Sequence, residues 1–299
     1  MQEIKLEENI KERIDVYLAD LLSVSRSKVA KMLKDKLILV NDEEVNPSYH
    51  LKKGDILTID EYVEEEMSAE PEKMDLDIVY EDDDIIVINK DNGVVVHPAL
   101  GNNHGTLVNG LLYHAAELSG VNGKFRPGIV HRIDAYTTGL LMVAKNDKAH
   151  AALADQLSEK ATTRIYYALV WGKINHDTGT IDAPLGRDSK DRKKMSVTAV
   201  NSKPAITHFK VLERYKNSTL IECKLETGRT HQIRVHMDYI GYPIVNDPVY
   251  GRRTIIDESG QCLHAKTLGF IHPKTKEYME FDSDLPECFT KIQATLMDE

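Results

Sequence analysis

The chain has 299 residues, 41% hydrophobic and 29% charged, with only 17 Gly and 10 Pro. That is ample apolar material for a core, and it excludes collagen-like and low-complexity chain. At roughly 100–200 residues per domain the length points to two domains, or to one with an appendage. No apolar run reaches the roughly 18 residues of a membrane span. The opening MQEIKLEENI holds no apolar signal core. Three cysteines without a CxxC argue against a disulfide framework or a thiolate zinc site, so the cytoplasm is the expected compartment. The net charge of −10 speaks against an anionic partner, but the stretch 60–75 holds eight acids against Lys73 alone, a net −7. The remaining chain is close to neutral and has room for a basic face.

In chain order, Ile14, Tyr17, Leu18, Leu21 and Leu22 recur at helical spacing. Ser25 is placed to cap a second helix with Val29, Met32, Leu33 and Leu37 on one face. The other face carries Arg26, Lys28, Lys31, Lys34 and Lys36, which reads either as a solvated face or as a surface for phosphates. Strand-like pieces follow at 38–40 and 56–59. This makes a compact module over 1–60. The acidic stretch 61–75, with Pro71, is read as a linker, and a surface helix is the alternative for its middle.

The body, 76–299, mixes predicted strands at 85–88, 94–96, 140–144, 166–170, 207–212 and 220–225 with helices at 106–118, 147–157 and 230–240. Strands and helices do not alternate regularly, so a doubly wound parallel sheet is disfavoured and the class is α+β. There is no HExxH, and His231 and His236 are five apart, off one helix face. Phosphate loops, nucleotide fingerprints and GxSxG are also absent, so neither a metal nor another cofactor is expected. What remains is two polar segments beside apolar strands. PGIVHRIDAYTTGLLMVAKN, from Pro127, carries His131, Arg132 and Asp134; LETGRTHQIRVHM, from Leu225, carries Arg229 and Arg234. Each taken alone is equally consistent with a structural ion pair or an ordinary helix cap.

The order of these pieces is distinctive. RSKVAKMLKDKLILVN, Pro47 and LKKGD resemble the S4 RNA-binding domain, whose basic helix, here with Arg26, Lys28 and Lys31, lies against RNA phosphates. HRIDAYTTGLLMVAKN resembles the catalytic motif of the RluA-type pseudouridine synthases, an HRLD followed by Thr-Ser/Thr-Gly-Leu. GVVVHP, RIYYALVWG, LGRDSKDRKKM, LETGRTHQIRVHM, YPIVNDPVYG and LHA resemble that family's other motifs, in order, between about 83 and 272. With the S4 module they look like the RluD/RluC branch, which modifies large-subunit ribosomal RNA.

The resemblance implies a bent, mainly antiparallel catalytic sheet and a cofactor-free isomerisation of uridine. It also implies Asp134 as the catalytic aspartate, Arg229 as its ion-pair partner and Tyr166 of the RxYxA pattern as the active-site tyrosine. Two departures are local: Ala135-Tyr136 stand where the family has a basic and then an acidic residue, and Asp91-Asn92 stand where a proline is common.

A single carboxylate suffices for this chemistry, acting as nucleophile or as the base that removes a sugar proton. A guanidinium would keep it charged and oriented. The uridine must leave its stack, at a cost of a few kcal/mol. Arg132, Arg187, the run 192–194 and Arg234 are candidates to hold the RNA. Arg234 equally suits a salt bridge within its helix, and His131 equally suits a backbone hydrogen bond. Asp247-Pro248 reads as a structural turn. The expected partner is ribosomal RNA, naked or within an assembling subunit, with no membrane and a monomeric enzyme. Two other classes fit parts of the sequence: a non-catalytic RNA-binding factor, and a nucleoside or glycoside hydrolase with paired carboxylates. The latter would release free base, and gives the S4-like module no purpose.

Overall fold

The computed structural model describes residues 2–60, 69–98, 103–115, 118–121, 127–191, 193–251 and 255–297. The chain divides into two compact units, Met1–Glu66 and Met67–Glu299.

In the first unit, β1 (Gln2–Lys5), α1 (Ile14–Leu21), α2 (Arg26–Lys34), β2 (Ile38–Val40) and β3 (Ile56–Ile59) follow in order. The strands form an antiparallel sheet β1-β3-β2. Ile14, Leu18, Val29, Met32 and Leu33 of the helices bury against Ile38, Val40, Leu57 and Ile59 of the sheet. This contact is the reason both helices hold, since eight or nine residues are too few for a stable isolated helix. The Ser25 hydroxyl accepts the Lys28 N–H at 3.2 Å, the cap read from sequence. β1 was not foreseen: QEIK has one apolar residue, and it becomes a strand by pairing with the free edge of β3.

The second unit contains β4 (Ile78–Glu81), β5 (Ile85–Lys90), α3 (Leu107–His114), β6 (Thr138–Ala144), α4 (Asp147–Ser158), β7 (Thr163–Trp171), β8 (Thr178–Asp182), β9 (Leu185–Arg187), β10 (Met195–Val197), β11 (Ile206–Arg214), β12 (Ser218–Leu225), α5 (Gln232–Tyr239), β13 (Leu263–Ile271), β14 (Tyr278–Asp282) and α6 (Glu287–Met297). Its main sheet runs β4-β5-β6-β13-β7-β12-β11-β8, with β14 also on β13. Every pairing in it is antiparallel except β6 with β13. Both faces are covered. Ile86, Ile88, Leu141 and Val143 belong to one core with Leu107, Val108 and Leu111 of α3, which continues along the sheet to Ile233 and Met237 of α5, while Ile85, Val87, Leu140 and Met142 share a second core with Ala149 and Leu153 of α4. Strands buried on two faces read as unbroken apolar runs, which is why β5 and β6 were visible in sequence.

β6 and β13 pair through His264 opposite Thr138 and Ala265 opposite Gly139. Gly139 has φ +104°, and a Cβ there would collide with the Ala265 backbone. Beyond this crossing the edge of β6 is covered by the segment 128–131: Ala144 N–H donates to the Gly128 carbonyl at 2.8 Å, and Met142 N–H to His131 Nε2 at 3.1 Å.

Two expectations need correction. Residues 94–96 are not a strand. The carbonyls of Val95 and Val96 accept the first N–H groups of α3, from Leu107 (2.8 Å) and Val108 (3.0 Å), so they serve a helix start rather than a ladder. The linker read over 61–75 does not hold for its second half. Residues 61–68 lie outside the described residues, but 69–75 belong to the second unit. Ala69 is buried, Asn109 donates to the Glu70 carbonyl at 2.7 Å, and the Glu72 N–H donates to the Asn109 carbonyl at 3.0 Å. The Glu72 carboxylate accepts the Gly105 N–H at 2.9 Å. Of the acids here, the Glu72 carboxylate is spent on backbone and the main chain of Glu70 on Asn109, while the side chains of Glu70 and Asp75 stay exposed.

Candidate active site

A cleft of ≈ 460 Å³ in the second unit is lined by the loop before β6, by β7, by the end of β12 and by the turn into α5. Asp134 sits in the loop, whose shape is fixed from several sides. Thr137 N–H donates to the Asp134 carbonyl at 3.0 Å. Lys90, 2% exposed at the end of β5, donates from Nζ to the carbonyls of Ala135 and Asp91, both at 2.7 Å. Burial pushes the Lys90 ammonium down to about 7, against the pull of Asp134 and Asp91. Thr137 Oγ accepts from Gln261, and Thr138 Oγ bonds His264 Nδ1 at 2.8 Å, so both threonines hold the strand entrance. The departure at Ala135-Tyr136 is accommodated locally. The Ala135 carbonyl rests on Lys90, and Tyr136 packs over Gly260, which leaves no room for a Cβ there.

The Asp134 carboxylate, 19% exposed, accepts from Arg234 Nη1 at 2.8 Å. Arg234 is the third residue of α5, and its guanidinium is anchored from behind. Nε and Nη2 donate to the two oxygens of Asp247 at 2.7 and 2.9 Å. The Asp247 carboxyl is fully buried and also accepts the N–H groups of Val249 and Tyr250. Burial alone would raise its pKa; the guanidinium and the two amides outweigh that and hold it below the ordinary range. Burial likewise opposes the charge on Arg234, but Asp247 and Asp134 together raise its pKa, so it is a permanent cation. It also lies 5.1 Å over the Tyr250 ring. The Tyr250 hydroxyl accepts the Met195 N–H at 2.9 Å and bonds His231 Nδ1 at 2.8 Å, while His231 Nε2 stands 3.8 Å from Asp134.

The partner of Asp134 is therefore Arg234, not Arg229. Arg229 precedes the helix, and His231, in the left-handed conformation with φ +57°, turns the chain between the two. Arg229 lines the cleft, but its Nε donates to the Pro204 carbonyl at 3.0 Å and its own N–H to Gln232. Tyr166, 8% exposed on β7, also lines the cleft. Burial raises its phenol pKa, Arg164 opposes this, and Asp134 adds to it. His131 lines the cleft with Nε2 already accepting the Met142 N–H, which is the backbone role among its two readings. Burial, aided by Arg164, pushes its pKa down to about 3 and keeps it neutral.

Arg132 is exposed at the cleft and bonds His97 at 3.0 Å. Arg187 lies on β9, exposed and outside the cleft lining. Arg192 lies outside the described residues. In the first unit, Arg26 binds the buried Asp15 at 2.9 Å, and Lys28 and Lys31 follow on the same helix. Sequence reasoning missed Lys90, Asp247, His231 and Arg164. The signals were present: Asp247 lies in NDPVYG, His231 in GRTHQIR, and Arg164 two residues before Tyr166, on the same strand face.

Among the described residues, Asp82, Asp84 and His272 are close enough to share a cation. The donors are already used: His272 Nδ1 accepts two backbone N–H groups, and Nε2 bonds Asp82 at 2.8 Å. This cluster joins β4 to the end of β13 and is structural.

The family model for RNA pseudouridylate synthase matches residues 84–239, and the S4 domain model matches 12–57. An uncharacterized RNA pseudouridine synthase of Bacillus subtilis is 56% identical over 96% of this chain and 94% of its own length. The ribosomal large subunit pseudouridine synthase D of Zymomonas mobilis is 44% identical over 97% of this chain and 96% of its own length. Among solved structures, the human RNA pseudouridylate synthase domain containing 1 matches with a TM-score of 0.58 and 27% identity, over 74% of this chain and 94% of that one.

Proposed function

Since the chain belongs to the RNA pseudouridylate synthases and carries an N-terminal S4 domain, we propose that it isomerises uridines of large-subunit ribosomal RNA to pseudouridine, with Asp134 as the reacting carboxylate. The observation that carries this reading is the buried chain Asp247–Arg234–Asp134. It presents one carboxylate to the cleft, held by a cation that is itself unable to turn away. A preorganised charged group of this kind needs no reorganisation when the reaction begins.

In the reaction the ribose C1′–N1 bond breaks and the uracil carries away the electron pair. The ring then turns, C1′ joins C5, and the C5 proton is lost while N1 regains one. Asp134 serves this either by attacking the sugar or by removing a sugar proton, and both routes need the same fixed carboxylate. Tyr166 on β7 supplies a flat wall on which the detached uracil stacks. Arg132 at the rim contacts RNA, as do Arg26, Lys28 and Lys31 of α2 through phosphates. The enzyme works as a monomer in the cytoplasm, on naked RNA or on an assembling subunit.

The test is tritium release from large-subunit ribosomal RNA labelled at C5 of uracil, with wild type and Asp134→Asn side by side. Release by wild type should fall by at least about a thousandfold in the variant. No release by wild type from either naked RNA or subunits would refute the assignment.

A further inference from the structure

Arg164 is 7% exposed and lines the cleft beside Tyr166. Its Nε–H is buried with no hydrogen-bond partner, and among the described residues Nη2 makes one long bond, 3.4 Å to the Glu226 carbonyl. A buried guanidinium left this unsatisfied is costly, and native proteins keep such a group where something else completes it. Gly228 makes room for it: a Cβ there would stand 2.8 Å from Arg164 Nη1. The next residue is Arg229, which lines the same cleft and is tied to the protein through Nε. The carboxylate of Glu226, whose carbonyl takes that long bond, is spent elsewhere, held by Lys160 at 2.8 Å and His208 at 2.7 Å.

We propose that Arg164 and Arg229, on either side of Gly228, form a subsite for one phosphodiester of the RNA strand next to the flipped uridine. This rests on the RNA pseudouridine synthase reading. The uracil base is the other polar ligand in reach, but it carries charge only while detached; during binding it is neutral and does not relieve two cations facing one space. An anion does. Burial, and to a smaller extent the Arg229 charge, work against the charge on Arg164, with Tyr166 opposing them, so an anion arriving between the two arginines is favoured. The planar fork of each guanidinium also matches phosphate oxygens in pairs. Gly228 then has a stated role: it keeps the guanidinium of Arg164 against the strand and the space between the two arginines open. Arg164 is a binding residue in this account, distinct from Asp134 and Arg234, which carry the chemistry.

The test is binding of a large-subunit ribosomal RNA transcript to the full chain across a series of KCl concentrations. Arg164→Gln should weaken binding by about tenfold near 0.1 M salt and lower the slope of log affinity against log salt by about 0.7–0.9, one phosphate contact. Arg164→Lys should keep the slope, because the cation remains. Gly228→Ala, which removes no charge, should weaken binding severalfold by displacing the guanidinium; it also carries the test if Arg164→Gln does not fold. Unchanged affinity and slope in folded Arg164→Gln, or unchanged affinity in Gly228→Ala, would overturn the subsite. Binding needs no turnover, so a wild type that binds RNA but releases no tritium would sink the proposed reaction while leaving this result readable.

Discussion

Arg229 and Arg234 stand five residues apart in one motif, and they should fail differently when replaced. Arg234→Met removes the cation that orients Asp134, so kcat should fall by about a thousandfold or more with little change in KM. Arg234→Lys should recover part of it. Arg229→Met leaves the Asp134 pair intact and should act mainly on KM. Equal kcat losses in the two variants would contradict the geometry. At this scale the sequence was legible for residue type and motif but not for pairing. Asp134 and Tyr166 were marked by their motifs and both lie in the cleft. The choice between two arginines depended on His231 taking a left-handed conformation, a backbone fact no side-chain pattern announces. Asp247 read as a turn residue because it is one, and its carboxylate also accepts two N–H groups of that turn.

Among the elements, the crossing of β6 and β13 decides where the active loop stands. Gly139 lets β6 pass against the Ala265 backbone immediately after the loop ends. Gly139→Ala combines a steric clash with a left-handed backbone, and should destabilise the second unit by about 3 kcal/mol or more, read as a lower urea midpoint. An unchanged midpoint would mean the two strands can separate without cost. Elements buried on two faces, such as β5 and β6, were visible from their apolar runs. β8, β9, β10 and β14 were not, because they are short or carry charged residues on alternate positions, and pairing with neighbours rather than composition makes them strands. The segment 94–96 has the composition of a strand, yet it spends its carbonyls on α3.

For the whole molecule, the buried Lys90 gives stability an unusual pH dependence. Its folded pKa is lowered to about 7, while in the unfolded chain it stays protonated up to about 10.4. Between those values the unfolded state binds more protons, so this group's contribution to stability rises with pH across the window, and its full burial cost is present below pH 7. The melting temperature of wild type relative to Lys90→Met should therefore climb from neutral to about pH 10; a flat difference would mean Lys90 is not buried as a cation. The two-unit organisation and the α+β class were legible because the first sixty residues carry their own helical and strand periodicities. The acidic stretch was only partly legible, because the structural role of Glu70 and Glu72 lies in contacts made by Asn109 and Gly105, more than thirty residues away.

The carboxylate held by Arg234 is assigned here the conversion of uridine to pseudouridine in large-subunit ribosomal RNA. Its most direct test is to map pseudouridines in that RNA from cells lacking the gene, complemented with wild type or with Asp134→Asn. One or more large-subunit positions should lose pseudouridine without the gene, regain it with wild type and stay unmodified with Asp134→Asn. A full set of pseudouridines in the Asp134→Asn cells, or no change on loss of the gene, would contradict it.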